Sequence, residues 1–364
     1  MTGSDDDFDA TELESYLAAE LDVDVTATER LHEGLNVSVA ISTAEAKNAY
    51  VLRKPDKLRD TGAFNSLRRE FDVLQLLEET TGAAPEPVLL CEDDSIVGAP
   101  FLLTTYLEGE PVRLGSYLPE RFRNPDARRT VSGRLIETLA ELHSADAEPF
   151  EEVCERRRPQ AQLAHGVDRL EAVTSETDLE PRGLWDVADW LERNVPTGSR
   201  ATLVHGDYRP SNVLFAGDDH PELSGVLDWE TAFLGDPVTE LGYLLLRWRD
   251  DGDPTPSLGD IEARHSNDDV RRDLRRINER GLAPFTNEPG SPSRRELVAR
   301  YEERTGFTVE NERFYLALAA FLLATVWADV HRHQIESGTE STKEPYVEYL
   351  SMIADSIVSG DFEL

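Results

Sequence analysis

The 364-residue chain has little lysine, little cysteine and no long apolar run. Its lysines are Lys47, Lys54, Lys57 and Lys343, so 33 of the 37 basic residues are arginines, against 72 acidic residues and a formal net charge of −35. Such a surplus of acid repels nucleic acid and anionic lipid, which excludes both as expected partners. Acid excess with little lysine is typical of a protein kept soluble in concentrated salt, where screening weakens self-repulsion. We therefore expect salt adaptation, and the overall charge does not by itself indicate a cationic substrate.

Three absences bear on the cellular compartment of the protein. Cys91 and Cys154 are too few for a disulfide framework and lack metal-ligand spacing. The longest uncharged apolar run, 314–328, has 15 residues, fewer than the roughly 20 that a membrane-spanning helix needs. The acidic start, 1–9, has neither the basic nor the apolar part of a signal peptide. We expect a cytoplasmic protein, and nothing in the sequence indicates an obligate protein partner.

The order of apolar patterns predicts an α+β chain of two lobes, since 364 residues exceed what one core usually organises. The predicted first lobe, 1–108, contains β-rich runs at 23–31, 37–42, 49–53, 88–91 and 100–106 and helical patterns at 11–21 and 64–77. The predicted second lobe, 109–364, is mostly helical, with helices at 124–144, 184–191, 237–249, 314–331 and 346–357 and a capped helix beginning after Ser293. Short strands are predicted at 213–215 and 223–227. Residues 250–294 are polar and predict an excursion over the surface.

The segment LVHGDYRPSNVLF, 203–215, carries the strongest chemical signal. Its His, Asp and Asn have the spacing of the protein-kinase catalytic loop. Asp207 would lie at the tip of the loop and accept a hydrogen bond from a substrate hydroxyl. Asn212, five positions later, would offer its amide oxygen to a magnesium ion between nucleotide phosphates. His205 is interpreted as orienting the loop rather than as the base.

A second motif, GVLDWE at 225–230, follows sixteen residues after Asn212. Asp228 ends an apolar strand, which suits a second magnesium ligand beside the amide oxygen of Asn212. Glu230 is either a further carboxylate near the site or a turn residue. Asp236 is interpreted as the N-terminal cap of the helix that follows it.

With these motifs the chain resembles the aminoglycoside phosphotransferase and choline kinase family, small-molecule relatives of protein kinases. HGDYRPSNVLF and VLDWETAFLGDPVTELGYL most resemble the phosphotransferase domain found beside some acyl-CoA dehydrogenases, and EGLNVSVAI, YVLRKP and RREFDVL fit in the same order. The resemblance covers nearly the whole chain. It implies a bilobal protein-kinase-like fold, ATP as cosubstrate, Mg²⁺, and a small molecule with a hydroxyl group as acceptor.

The same resemblance implies which residues of the first lobe bind the nucleotide. In YVLRKP the cation that binds phosphate would be Arg53, with Lys54 as the alternative. Val51 and Arg53 share one face of a strand and Lys54 lies on the other, so Val51 would cover the adenine. Glu70 would pair with the cation and hold it in place.

The resemblance also implies two segments whose backbone groups contact the nucleotide. Gly34 and Asn36, between the first two strands, would form the loop over the phosphates. Tyr106 and Leu107 would present hinge backbone groups to the base.

The leading hypothesis is an ATP- and magnesium-dependent kinase of a small hydroxyl compound. A non-catalytic, nucleotide-binding pseudokinase is the alternative, supported by an arginine where better-known kinases have lysine. A metal hydrolase built on His205, Asp207 and Asp228 is a further rival. The acceptor stays open between an aminoglycoside, a hydroxylated acyl thioester and another metabolic alcohol, because fold resemblance does not settle substrate.

Overall fold

A five-stranded antiparallel sheet forms the first lobe of the protein. The structure, a computed structural model, describes residues 10–33, 36–55, 65–198 and 200–362. The sheet has the order β1-β2-β3-β5-β4 and is accompanied by two helices. In chain order the elements are α1 (Ala10–Leu21), β1 (Val25–Glu33), β2 (Asn36–Thr43), β3 (Tyr50–Pro55), α2 (Leu67–Thr80), β4 (Pro87–Cys91) and β5 (Phe101–Thr105).

The two faces of this sheet bury different partners because side chains alternate along each strand. On the outer face, Leu52 of β3 packs in a small apolar cluster with Leu13 and Leu17 of α1. On the inner face, α2 packs Val73, Leu74 and Leu77 into the apolar core that continues through the second lobe. Residues of β3 next to Leu52 therefore face the cleft between the lobes.

The second lobe is mostly helical. Its elements are β6 (Glu110–Pro111), α3 (Pro125–Ser144), β7 (Arg156–Arg157), α4 (Pro159–Glu176), α5 (Leu184–Arg193), β8 (Thr202–Val204), β9 (Val213–Ala216), β10 (Glu222–Val226), β11 (Phe233–Gly235), α6 (Pro237–Leu245), α7 (Gly259–Arg264), α8 (Asp268–Arg280), α9 (Arg294–Thr305), α10 (Glu312–Glu336) and α11 (Glu344–Ser359). Within the described ranges, α10 alone is long and apolar enough to cross a membrane, but 72% of its apolar window is buried inside the protein. It is packed as a core helix against α4, α6 and α11.

Two small sheets hold the segments that carry the motifs. One has the order β7-β11-β8 and the other β10-β9-β6. The loop from β8 to β9 contains Asp207 and Asn212, and the turn after β10 contains Asp228. The backbone N–H of Leu227 donates to the carbonyl of Asn212 at 2.7 Å, which brings the ends of both motifs together.

The predicted fold class is confirmed: a β-rich first lobe with one helix on each face of its sheet precedes a helical second lobe.

The N-terminal cap by Asp236, which accepts from the N–H of Val238, is observed. Ser293 and Glu296 form a capping box. Phe64, where a helix was predicted to begin, lies outside the described residues, and α2 begins at Leu67. The boundary between residues 108 and 109 stays a prediction.

Two segments differ from the sequence-based expectations. The prediction that 250–294 is a surface excursion is wrong for much of its length, because α8 buries Val270, Leu274 and Ile277 and Phe285 is fully buried against Trp248. The many charges on the outer face of α8 concealed this apolar stripe. Helix α4 was not predicted, since its buried Leu163, Leu170 and Val173 are widely spaced among polar residues.

Candidate active site

Arg53 lies at the centre of a cluster of carboxylates in the cleft. It sits on β3, where Leu52 faces the outer cluster and Arg53 the inner side, and it is 9% exposed. Its guanidinium contacts the carboxylate of Glu70 from α2, Asp228 at 3.1 Å and Glu230 at 3.5 Å. Burial opposes the charge, but these carboxylates outweigh it and raise the pKa of Arg53 above its ordinary value.

Lys54 is not brought to this cluster. Its Nζ donates to the backbone carbonyl of Val97 at 3.3 Å, and Val97 belongs to the outer apolar cluster. Strand alternation separates the two neighbouring cations onto opposite faces of β3. Val51 is half-buried and shares the face of Arg53.

Asp207 has donors on both carboxylate oxygens. Tyr243 donates its hydroxyl to Oδ1 at 2.5 Å, while Arg209 Nε and Asn212 Nδ2 each donate to Oδ2 at 2.9 Å. Burial by itself raises the pKa of Asp207, but the charges of Arg209 and Arg247 and the bond from Tyr243 outweigh it, so the net pKa is lowered. The carboxylate is therefore ionised at neutral pH, and 26% of the side chain remains exposed to the cleft.

Glu240, a buried residue of α6, holds the backbone of the loop that carries Asp207. Its carboxylate accepts from the N–H of His205 at 3.0 Å and from the N–H of Gly206 at 2.7 Å. It also contacts His143 Nε2 at 3.1 Å. Burial raises the pKa of Glu240, but these donors and the histidines around it bring the pKa below its ordinary value.

Gly206 is required where the loop turns. Its φ is +87°, and a Cβ there would lie 2.5 Å from the carbonyl oxygen of Thr231. An L side chain would meet both strain and a backbone clash. The glycine thus lets the loop pass close to the turn after Asp228.

His205 links the two motifs. Its Nδ1 accepts from the N–H of Asp207 at 3.1 Å, and its Nε2 contacts the carbonyl of Leu227 at 2.7 Å. An accepting Nδ1 requires a neutral ring with the proton on Nε2, which then donates to Leu227. The ring packs against Trp229, with centroids 4.6 Å apart. His205 thus orients both Asp207 and the residue before Asp228.

The oxygen atoms of Asn212 and Asp228, beside Asp207, fit a magnesium ion as ligands. Asn212 donates Nδ2 to both the carbonyl and the carboxylate of Asp207, which fixes the amide and turns Oδ1 away from them. Asp228 has φ +64°, a left-handed conformation uncommon for residues other than glycine, and its side chain is 47% exposed. One carboxylate and one amide oxygen are hard ligands that leave positions for phosphate oxygens and water, as Mg²⁺ prefers.

Three of the remaining predicted residues, Asn36, Tyr106 and Leu107, lie within the described ranges. Asn36 donates Nδ2 to Glu230 at 2.9 Å, so the Glu230 carboxylate contacts two strands of the first lobe, β2 through Asn36 and β3 through Arg53. Gly34 lies outside the described residues. The N–H of Tyr106 donates to the carbonyl of Ala49 at 3.0 Å, and the contact of this residue with a base stays a prediction. Leu107 packs against the Cα side of Gly225, where a Cβ would lie 2.3 Å from Leu107 Cδ1.

Four residues around Asp207 were missed by sequence reasoning: Arg209, Glu240, Tyr243 and Arg247. Glu240, Tyr243 and Arg247 are spaced by three and four positions, which places them on one side of α6 and of the turn that follows it. That spacing was the available signal. Arg209 lies inside the motif HGDYRPSN but was not assigned a role.

The comparisons agree with this architecture. The sequence model of the phosphotransferase enzyme family matches residues 27–279, so the chain belongs to that family. It is 28% identical over 319 residues to acyl-CoA dehydrogenase family member 11 of Gallus gallus, covering 84% of this chain and 37% of that protein. Across the curated acyl-CoA dehydrogenase relatives the chain spans 29% to 41% of their length. The resemblance to the dehydrogenase-associated phosphotransferase domain is therefore confirmed.

Solved structures share the fold. A candidate aminoglycoside phosphotransferase from Ralstonia eutropha superposes with a TM-score of 0.70 at 20% identity, covering 97% of this chain and 99% of that one. A macrolide 2′-phosphotransferase type I gives a TM-score of 0.59 at 17% identity, with 98% of each chain covered. These similarities establish the bilobal fold and leave the substrate open.

The buried carboxylate of Glu240 leads to a prediction about stability. Glu240→Gln should lower the free energy of unfolding by roughly 2–4 kcal/mol, because one accepting oxygen becomes a donor facing backbone N–H groups. The pKa of Glu240 is lowered in the folded state, so its contribution is present above about pH 4.3 and is lost as the pH falls through the folded pKa. Urea unfolding of both proteins between about pH 7 and pH 3 would measure this.

The control is Glu222→Gln, which changes an exposed carboxylate of β10. It should alter stability by less than about 0.5 kcal/mol. Equal losses in the two variants, or a difference between wild type and Glu240→Gln that grows as the pH falls, would contradict the assigned role of Glu240.

Proposed function

We propose that the protein is an ATP- and Mg²⁺-dependent kinase that transfers the γ-phosphoryl group to the hydroxyl of a small molecule. The observation that carries this proposal is the hydrogen bond between Asn212 and Asp207 together with the bond from Leu227 to Asn212, which brings Asp228, the partner of Arg53, next to the loop. Membership of the phosphotransferase family supports it. We also retain the cytoplasmic location expected from the sequence.

In the proposed reaction, Asp207 orients the acceptor hydroxyl and takes its proton. The hydroxyl oxygen forms a bond to the γ-phosphorus, the bond from that phosphorus to the β–γ bridging oxygen breaks, and ADP leaves with the electron pair. The loose transition state of phosphoryl transfer makes positioning and charge neutralisation the main contributions. The low pKa of Asp207 agrees with a role that is mainly orienting.

Two cations would neutralise the phosphates. Arg53 lies on the cleft face of β3 and is held by Glu70, so we assign the phosphate-binding role to it rather than to Lys54. Arg209 bonds to Asp207 and its charge is also favoured by Asp228, so it would lie beside the transferred group. Mg²⁺, held by Asn212 and Asp228, would supply Lewis-acid neutralisation of the β- and γ-phosphate oxygens.

The first test is removal of the proposed base. Asp207→Asn should lower kcat by roughly 10²–10⁴-fold, because an amide cannot take the hydroxyl proton. ADP release would be measured with Mg·ATP and a panel of kanamycin, choline and hydroxypentanoates in molar potassium chloride. Asp219→Asn, in the exposed turn between β9 and β10, is the matched control. Full turnover in Asp207→Asn, or no acceptor-dependent ADP release from wild type, counts against a kinase with this base.

The proposed metal site is tested by binding. ATP at about 100 times its Kd should stabilise the wild type by about 2.7 kcal/mol in the presence of magnesium. Asp228→Ala should remove the magnesium dependence, because the exposed carboxylate is the charged ligand. Thermal unfolding with and without magnesium measures both effects. Magnesium-dependent stabilisation that persists in Asp228→Ala would place the ion elsewhere.

The choice between the two neighbouring cations is tested separately. Arg53→Gln should weaken Mg·ATP binding by about tenfold or more, whereas Lys54→Gln should change it by less than about threefold. Isothermal titration would measure the affinities, and thermal unfolding without nucleotide would confirm that each variant is folded. A larger loss in Lys54→Gln would reverse the assignment.

A further inference from the structure

His265, Glu344 and Glu348 form a group of three metal-ligating side chains in the second lobe. His265 follows the end of α7, and the two glutamates lie on α11. One ligand atom from each side chain lies within 4.8 Å of the other two, and this is the one such trio of His, Cys, Asp or Glu in the described part of the chain. None of the three belongs to the loop or the turn that carries the candidate active site.

The three side chains are close to the spacing that a metal ion requires. The Nε2 of His265 lies 2.9 Å from Oε1 of Glu348. Glu344 and Glu348 share one face of α11, because residues four apart are neighbours on a helix. The ligand atoms around a tetrahedral zinc ion lie about 3.3 Å apart, given bonds of about 2.0–2.1 Å. That spacing is within the reach of side-chain rotation, since all three side chains are only partly buried.

Contacts of other residues fix the backbone around this group. The Nε of Arg271 donates to the carbonyl of His265 at 2.6 Å, and Asn267 caps the start of α8. Tyr346, which lies between the two glutamates in the sequence, donates its hydroxyl to Asp273 of α8 at 2.8 Å. The protein itself therefore holds the connection between α7 and α8 beside α11, and an ion would enter a preorganised arrangement.

Arg264 provides a hydrogen bond of the kind that metal-binding carboxylates receive. Its Nη2 contacts Oε2 of Glu348, whereas Oε1 is the oxygen beside His265. Ligating carboxylates are usually hydrogen-bonded by a further residue, which orients them. Arg264 therefore holds the carboxylate of Glu348 by one oxygen and leaves the other oxygen for an ion.

The charges around the group leave a negative surplus. The hydrogen bond to Glu348 raises the pKa of Arg264, and the charges of Glu348, Asp260 and Glu344 add to this effect. The ammonium of Lys343, the neighbour of Glu344 in the sequence, lies over two aromatic rings. Three carboxylates against one guanidinium leave two negative charges, which a divalent cation would balance.

We propose that His265, Glu344 and Glu348 bind a divalent transition-metal ion, of which zinc fits best, with water in the fourth position. Zinc accepts an imidazole nitrogen together with carboxylate oxygens, whereas magnesium and calcium prefer oxygen ligands alone. The ion would join the connection between α7 and α8 to α11 and stabilise the folded chain, because it binds the folded state more tightly than the unfolded one. This site is separate from the proposed magnesium site and does not depend on the proposed function.

The experiment is an isothermal titration of zinc chloride into the protein, without nucleotide and with magnesium in excess so that the proposed magnesium site is occupied. Wild type should bind about one zinc ion per chain, and His265→Gln and Glu344→Gln should each weaken this binding by about tenfold or more. Asp228→Ala should keep the affinity within about threefold. Cobalt gives a second readout, because its visible absorption reports coordination by an imidazole nitrogen, and this absorption should be lost in His265→Gln.

His220→Gln is the matched control, since it removes an exposed histidine from the turn between β9 and β10, and it should bind zinc as wild type does. Circular dichroism without metal would confirm that each variant is folded, and Glu344→Gln keeps the test decisive should His265→Gln fail to fold. Absence of zinc binding to wild type, an unchanged affinity in either folded ligand variant, or an equal loss in His220→Gln overturns the inference. A loss in Asp228→Ala that His265→Gln does not share would place the ion at the candidate active site and overturns it as well.

Discussion

The carboxylate of Glu240 is the interaction on which the geometry of the site depends. It lies inside the second lobe and receives two backbone N–H groups from the loop that carries Asp207, together with the ring of His143. His143 in turn contacts the hydroxyl of Tyr301 on α9 at 2.7 Å. Hydrogen bonds to a charged group contribute roughly 1.5–3 kcal/mol each, and several donors acting together offset the burial of the charge. The loop is thereby fixed to three helices before any ligand is considered.

Backbone contacts then place the other residues of the site relative to the loop that Glu240 holds. Gly206 allows the turn that brings Asp207 to the cleft, and His205 connects Asp207 with Leu227. The bond from Leu227 to Asn212 then places Asp228 beside the loop. Each link uses a backbone group, so the arrangement depends little on the identity of the intervening side chains. This explains why a short motif in the sequence can indicate a three-dimensional constellation.

The sequence predicted the segments whose chemistry is concentrated in a short stretch. Fixed spacing within a short segment identified the motifs around Asp207 and Asp228. Strand alternation, which is also a local property, predicted that Arg53 and Lys54 lie on opposite faces of β3. Glu240 could not be recognised in this way, since a single glutamate on an apolar helix has no pattern of its own and its partners lie 34 and 97 positions away. The apolar face of α8 was missed for a related reason: charged residues on three sides of a helix hide a narrow buried stripe.

The cluster around Arg53 has a consequence for the order in which ligands can enter. One guanidinium is surrounded by the carboxylates of Glu70, Asp228 and Glu230, so this part of the cleft holds more negative than positive charge. A polyphosphate arriving alone would meet that surplus, whereas a divalent cation bound to Asp228 would neutralise it and release Arg53 from one of its partners. Metal and nucleotide would then bind with positive thermodynamic linkage, each raising the affinity for the other by the same factor. Under the proposed function, the resting protein would discriminate between the free nucleotide and its metal complex through this electrostatic difference.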